Sequence, residues 1–295
     1  SLIKLGSKCV LVAVLAALSS FSWGQGQQLH FTHIGTANGL SDLDVNVVLQ
    51  DKRGFMWFGT NDGHDRYDGY KFRVYRNDPK DSTTISGSYV QDMAEDHKGN
   101  IWISTEGSGL NEFDRKTNRF HHYRHDSKNI NSISGDLVTK IVVDDYGIVW
   151  IGTLHNGLNA FDPKRGIFLH YTHKQNDPSS IAGNEISALF KDSEENIWIG
   201  TVNNGLSKFD RKTHTFVNYT HADKNKESIS ANRITAIFED SDHKLWVGTQ
   251  EAGLNLLNKG KGTFKHWMHD SHNANSLSNN SIQNIAEDDN HNIWV

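Results

Sequence analysis

Apolar residues along the chain fall into short runs rich in Val, Ile, Phe, Tyr and Trp, each closed by Gly, Asn or Asp. Runs of this kind predict β-strands joined by tight turns. One apolar pair per unit lies three apart, as in Val138/Ile141 and Ile186/Leu189, a spacing that a helix could also use. Turn signals only about five to seven residues apart leave too little chain for a stable helix, so this run is predicted as a strand too.

The pattern has a fixed period. Trp57, Trp102, Trp150, Trp198, Trp246 and Trp294 are separated by 45, 48, 48, 48 and 48 residues and make up six of the eight tryptophans. An aspartate stands six residues before each: Asp51, Asp96, Asp144, Asp192, Asp240 and Asp288. After the tryptophan come a turn glycine (Gly63, Gly109, Gly157, Gly205, Gly253) and an aromatic residue or leucine (Tyr67, Phe113, Phe161, Phe209, Leu257). An aromatic pair such as Phe168/Tyr171 follows, and a pair such as Ser180-Ile181 closes the unit.

A four-stranded unit of about 40 to 50 residues is the signature of a propeller blade, whose apolar faces are buried only by stacking on neighbours. The predicted fold class is therefore all-β: a β-propeller of four-stranded blades (strands A to D), with five full blades plus partial ones. Strand A is expected to be innermost. Blade one is three residues shorter than the others, with the losses confined to turns; its Asp68-Gly69 is a two-residue hairpin signal. Residues 29–34 are expected to be a lone D strand, because Leu40-Ser41 stands as far from Val45 as Ile85-Ser86 does from Val90. On this reading the ring does not close within 295 residues and a longer protein is expected.

Composition narrows the function classes. Aromatics at 10% and only 3 prolines suit a packed core. A net charge of -5 with no Lys/Arg run argues against nucleic acid as a partner. Residues 1–24 have the parts of a secretory signal: Lys4 and Lys8, an apolar run from Cys9 to Leu18, then Ser22 and Gly24 ahead of Gln25. The apolar run is shorter than the roughly 20 residues that span a bilayer, which favours removal over anchoring. Cys9 is the single cysteine, so residues 25–295 have none, as suits an oxidising periplasm.

Candidate chemistry is sparse. Indoles at one position per blade are spread around a ring rather than converging on a ligand, so they are assigned to the frame. The recurring aspartate is expected to accept backbone N–H groups in the A-B turn. His125, His173, His221 and His269 also recur 48 apart; on different blades they lie too far apart to share a zinc ion at roughly 2.0 to 2.1 Å per bond. Nucleophile elbow, phosphate loop and metalloprotease helix are absent, so the segment is read as non-enzymatic, with no cofactor and no metal. Three departures stand out. His64 replaces the leucine of Leu110, Leu158, Leu206 and Leu254, at a position facing a blade interior where an unpaired imidazole is costly. Ser104 replaces the glycine of Gly59, Gly152, Gly200 and Gly248, and Glu195, His243 and His291 replace that of Gly54, Gly99 and Gly147.

The repeat core "DDYGIVWIGTLHNGLNAFD" (144–162), with "YDGYKF" and the "NSISG" loop, resembles the two-component regulator propeller repeats over nearly all of residues 29–295. That resemblance implies a periplasmic sensor region, commonly of paired seven-bladed propellers, followed by a β-sandwich, a transmembrane helix and a cytoplasmic output module. The implied output is a histidine kinase, often a hybrid, or a diguanylate cyclase, and the implied assembly is a homodimer in the full-length protein. The domain reading is thus a signal at 1–24 and the N-terminal part of a sensor propeller at 25–295.

Strand parity places the B-C turns and the long D-A connections on one face, where loops on a rigid scaffold commonly bind. The variable turn residues Asn61, Asp62, Glu106, Ser108, His155, Asn156, Asn203, Asn204, Gln250 and Glu251 are expected to form a polar rim for a glycan or similar small solute. Of these, Asn61, Asp62, His155, Asn156, Asn203, Asn204, Gln250 and Glu251 are the named candidates. Two competing readings stay open: a secreted propeller lyase, with His64 and His155 as acid/base candidates, and a scaffold for protein partners.

Overall fold

The alternation of apolar and polar residues produces five four-stranded antiparallel sheets, each with its strands in chain order, and one two-stranded sheet. They belong to a computed structural model that describes residues 32–295. Blade four is the regular case, built from Ile186–Lys191, Ile197–Thr201, Leu206–Asp210 and Thr215–Tyr219. Blade one spans Val45–Gln50 to Phe72–Tyr75, and a sixth repeat begins with Ala286–Glu287 and Ile293–Trp294. The chain is thus a β-propeller fold with five complete blades among the described residues. The proposed signal at 1–24 and residues 29–31 of the expected first strand lie outside the described residues; residues 32–34 carry no strand. The register argued from Leu40-Ser41 does appear: Leu40 is buried, and Ser41 donates its backbone N–H to Asp65 as Ser86 does to Asn111.

The core lies between blades rather than within them. Strand B alternates, so Ile197 and Ile199 face back to join Trp150 of blade three, while Trp198 faces forward among Ile234, Leu245 and Leu257 of blade five. Trp57 and Trp102 repeat this arrangement toward blades two and three. Each buried indole contributes roughly 4 to 6 kcal/mol of gross apolar burial to its interface. Trp294, in the sixth repeat, is 64% exposed. Close approach also requires a missing side chain on strand B: a Cβ at Gly200 would sit 2.6 Å from Ile234 Cγ2 of the next blade. Ser104 keeps a fully buried place in the same row, its Oγ 3.4 Å from the carbonyl of Asp92.

A bulge at the second residue of each complete blade's strand A shifts its register against strand B. The freed side chain ties neighbouring innermost strands together: Asn46 Nδ2 donates to Val90 O (3.0 Å), Thr139 Oγ1 to Ile186 O (2.8 Å) and Ser187 Oγ to Ile234 O (2.6 Å).

The recurring aspartate does more than cap its turn. Asp192 accepts the backbone N–H groups of Glu194 and Asn196 through Oδ1, and the indole N–H of Trp198 through Oδ2 at 2.8 Å. Asp51, Asp144, Asp240 and Asp288 bind their tryptophans in the same way at 2.6 to 2.9 Å. The C-D turn of the following blade then supplies a cation: Arg115 reaches Asp51 and Arg211 reaches Asp144, each at 2.8 Å, and Lys259 lies 3.7 Å from Asp192. Pro163 occupies this position in blade three, and the Trp102–Asp96 contact it faces is longer, at 3.4 Å.

The glycine replacements in the A-B turns keep the left-handed backbone, with φ of 64° at Glu195, 62° at His243 and 63° at His291. That conformation costs a non-glycine residue on the order of 1 kcal/mol. All three side chains cross to the preceding blade: Glu195 accepts the N–H of Asp145, while His243 and His291 bond Ser193 and Ser241. The turns therefore gain an inter-blade tie where they lose glycine.

Candidate functional site

Backbone hydrogen bonds fix the B-C turns against the D-A connections. In blade four, Val202 N–H donates to Glu185 O ahead of its own strand A, and Gly205 N–H donates to Asn232 O ahead of the next. Gly205 has φ +87°, and a Cβ there would meet the carbonyl of Tyr219 at 2.3 Å, so the turn requires glycine. Blade three repeats the pattern through Leu154 to Leu137 and Gly157 to Asn184. The two loop sets therefore share one face, as strand parity requires.

The eight candidate residues form local clusters on that face. Asn61 accepts from Asn46 (2.9 Å) and donates to Asp44 (3.1 Å), and Asp62 pairs with Arg76 at 3.0 Å. His155 of blade three and Asn203 of blade four meet on one carboxylate: Glu185 lies 3.9 Å from His155 Nδ1 and 3.4 Å from Asn203 Nδ2. Gln250 Nε2 lies 3.3 Å from Ser281 Oγ, and Glu251 is exposed. Asn156 and Asn204 sit closest to the connections; a Cβ at Gly135 or Gly183 would lie 2.5 Å from their Oδ1 atoms. Their backbone N–H groups are held by Thr153 and Thr201. The resulting surface offers amides and carboxylates, groups that hydrogen-bond a polar solute. Sequence reasoning missed Glu185, the residue linking two turns; its place immediately before strand A was the available signal.

The repeated histidines serve the connections. Nδ1 of His125, His173, His221 and His269 bonds the carbonyl eight residues on, at 2.8, 2.9, 2.8 and 2.6 Å. Only a protonated Nδ1 can donate to a carbonyl, which fixes that tautomer. Asn77 plays the same part in blade one, donating to Ile85 O at 2.7 Å. Among the described residues no group of three or more His, Cys, Asp and Glu is arranged to hold a metal ion.

His64, a candidate acid/base group, lies fully buried with both ring nitrogens unpaired. It stacks on Trp57 at 4.7 Å and 13°, and burial pushes its pKa down to about 3. Such a ring is neutral near pH 7 and closed to solute. Its neighbour Asp65 binds the N–H (2.8 Å) and hydroxyl (2.6 Å) of Ser41; burial pushes this carboxyl up.

Comparison with known proteins agrees with this architecture. The profile described as "Two component regulator propeller" matches residues 39–62, 84–107, 180–203, 228–251 and 276–295. A 62-residue stretch is 44% identical to Histidine kinase P4 of Formosa agariphila, covering 21% of this chain and 4% of that protein. The extracellular domain of the putative hybrid two component system BT3049 from B. thetaiotaomicron is 27% identical, with a TM-score of 0.54, over 89% of this chain and 40% of that one. The corresponding BT4673 domain shares the fold at 22% identity and a TM-score of 0.59, over 90% and 38%. Virginiamycin B lyase from Staphylococcus aureus, at 13% identity and a TM-score of 0.62 over 84% and 75%, likewise shows the fold alone. The chain spans well under half the length of the two-component relatives it matches. At five places along its length, where the recurring Asp, Trp and turn-glycine positions fall, the chain carries sequence matching the two component regulator propeller repeat.

Proposed function

We propose that this chain is the N-terminal part of a periplasmic, ligand-sensing input region of a membrane-spanning two-component sensor, whose output is a histidine kinase, hybrid or otherwise. The observation that carries this reading is the likeness to the BT3049 extracellular domain over 89% of the chain, alongside the two component regulator propeller repeats matched in this chain. In this proposal residues 1–24 are removed on export, residues 25–295 supply recognition rather than catalysis, and the full-length protein dimerises. The polar B-C turn face, which includes the His155, Glu185 and Asn203 cluster, receives the solute, for which a glycan is the proposed class. A diguanylate cyclase is the alternative output for the same input region.

The test uses the complete gene product in its own cells, tagged at the C-terminus. Protease added to permeabilised outer membranes is expected to cut the propeller and spare the tagged output domain, and the exported protein is expected to begin at Gln25. Protection of the propeller, or a gene that stops soon after a seventh blade with no membrane segment, would overturn the proposal.

A further inference from the structure

Between blades three and four lies a cleft of about 260 Å³ on the outer part of the interface, away from the B-C turns. Its origin is one row of side chains. In every blade the tryptophan of strand B pairs across the sheet with one residue of strand C, which pairs in turn with one residue of strand D. The rows read Trp57-Arg66-Arg73, Trp102-Glu112-His121, Trp150-Ala160-Leu169, Trp198-Lys208-Val217 and Trp246-Leu256-Lys265.

Four of the five rows carry a long charged side chain that covers the aromatic layer. Arg66 lies 5.9 Å from the Trp57 ring, Lys208 5.6 Å from Trp198 and Lys265 4.7 Å from Trp267, while Glu112 accepts the hydroxyl of Tyr123 at 3.1 Å. Blade three has Ala160 and Leu169 instead, and Ile148 stands where blades two and four have Asn100 and Asn196. The space is walled by Ile148, Ile167, Leu169 and Tyr171, while Trp150 and Phe209 at its base are 2% and 3% exposed and the Arg211 guanidinium lies 5.6 Å from the Trp150 ring.

The rim is cationic. Arg165 is exposed, and among the described residues its guanidinium has no ion pair. Asp162, the carboxylate beside it, is turned to its own turn, accepting the N–H groups of Lys164 (2.9 Å) and Arg165 (3.3 Å). Arg211 is held by Asp144 at 2.8 Å, and His214 Nδ1 meets the Tyr171 hydroxyl at 3.2 Å.

We propose that this cleft binds a small molecule with a one- or two-ring apolar body and a carboxylate, the ring against Tyr171 and the exposed side chains of Ile167 and Leu169 and the carboxylate on Arg165. Tyr171, Ile167 and Leu169 supply apolar contact area, the volume limits the body to about two rings, and a free guanidinium on the rim pairs with a carboxylate. The assignment concerns this segment's own binding and stands whether or not the chain feeds a kinase.

The probes are indole-3-acetate and its neutral counterpart indole-3-ethanol, titrated into the purified chain by calorimetry. Saturable binding of both at one site is expected. Arg165→Gln is expected to weaken indole-3-acetate about tenfold or more and to leave indole-3-ethanol within about twofold. Ala160→Lys, which installs the residue of the blade four row, is expected to abolish binding of both despite adding a positive charge. Absence of saturable binding to the unsubstituted chain at about 5 mM probe, or undiminished binding by the folded Ala160→Lys protein, overturns the proposal. Circular dichroism of both variants establishes folding, and Arg165 lies on the surface, so its test does not depend on core repacking.

Discussion

The indole N–H of Trp198 donates to Oδ2 of Asp192 at 2.8 Å, with both residues buried. Burial alone would raise the Asp192 carboxyl, but the bonds from Trp198 and Asn196 and the charge of Lys259 hold it below its ordinary value. Asp192→Ala strands a buried indole N–H and two turn amides, for an expected loss of about 2 to 3 kcal/mol, read as a lower urea midpoint at unchanged slope. With the 295-residue chain as the sample, Asp288→Ala is the control: Trp294 is 64% exposed there, so water replaces the carboxylate and the expected loss is below about 1 kcal/mol. Equal losses at the two sites would refute the role given to burial.

Arg115 joins Asp51 at 2.8 Å and Glu95 at 3.4 Å, with the Arg115 and Glu95 side chains 8% exposed and that of Asp51 at 0%. Arg115→Met leaves two buried carboxylates without their cation, and the expected cost is about 3 to 5 kcal/mol. Adding Asp51→Asn should recover part of it. A double-mutant cycle with purely additive losses would show that the two side chains do not interact.

His64→Leu restores the residue found in the other blades and removes two unpaired buried nitrogens. The expected gain at pH 7 is about 1 to 3 kcal/mol. The histidine also sets a pH dependence. Its folded pKa is lowered to about 3, so between the unfolded value of about 6.5 and that point the unfolded chain holds a proton the folded one lacks. Stability is therefore complete above about pH 6.5 and declines as the pH falls toward about 3. His64→Leu should flatten that part of the melting-temperature profile; an unchanged profile would count against a neutral buried ring.

Gly200 is expected to reject even a methyl group, because Ile234 Cγ2 stands 2.6 Å from the Cβ position. Gly200→Ala should cost about 1 to 3 kcal/mol through overpacking. Combining it with Ile234→Ala should cost less than the sum of the two single changes. Additive melting data would mean that the strand B glycine serves some purpose other than close approach to the next blade.

The blades were legible because their signal is periodic. Six indoles in register fix one position per repeat, and alternation around Trp198 assigns its flanking isoleucines to the opposite face. The Asp192–Trp198 bond was not legible, since six residues of separation become contact only through the geometry of the A-B turn. The cations at Arg115 and Arg211 were hidden for another reason: each belongs to the repeat after the carboxylate it pairs with, 64 residues from Asp51 and 67 from Asp144. The exchanges at Glu195 and His243 were visible as lost glycines, whereas their bonds to the preceding blade depend on where a left-handed residue points. On the turn face, residue types were readable, but the carboxylate between His155 and Asn203 came from a connection whose sequence gave it no prominence.

Trp57, Trp102, Trp150 and Trp198 are each buried by the repeat that follows, so the unit copied in the sequence is out of phase with the unit that packs. Every junction between consecutive blades is assembled from the forward half of one copy and the backward half of the next. Unequal exchange of one whole 48-residue copy would then lengthen or shorten the array while recreating a junction of the same kind. The exceptions are the places where a copy has diverged in its forward half, as at Ala160 and Leu169. There, loss or transposition of a single copy would move or erase a surface that no other junction among the described blades provides.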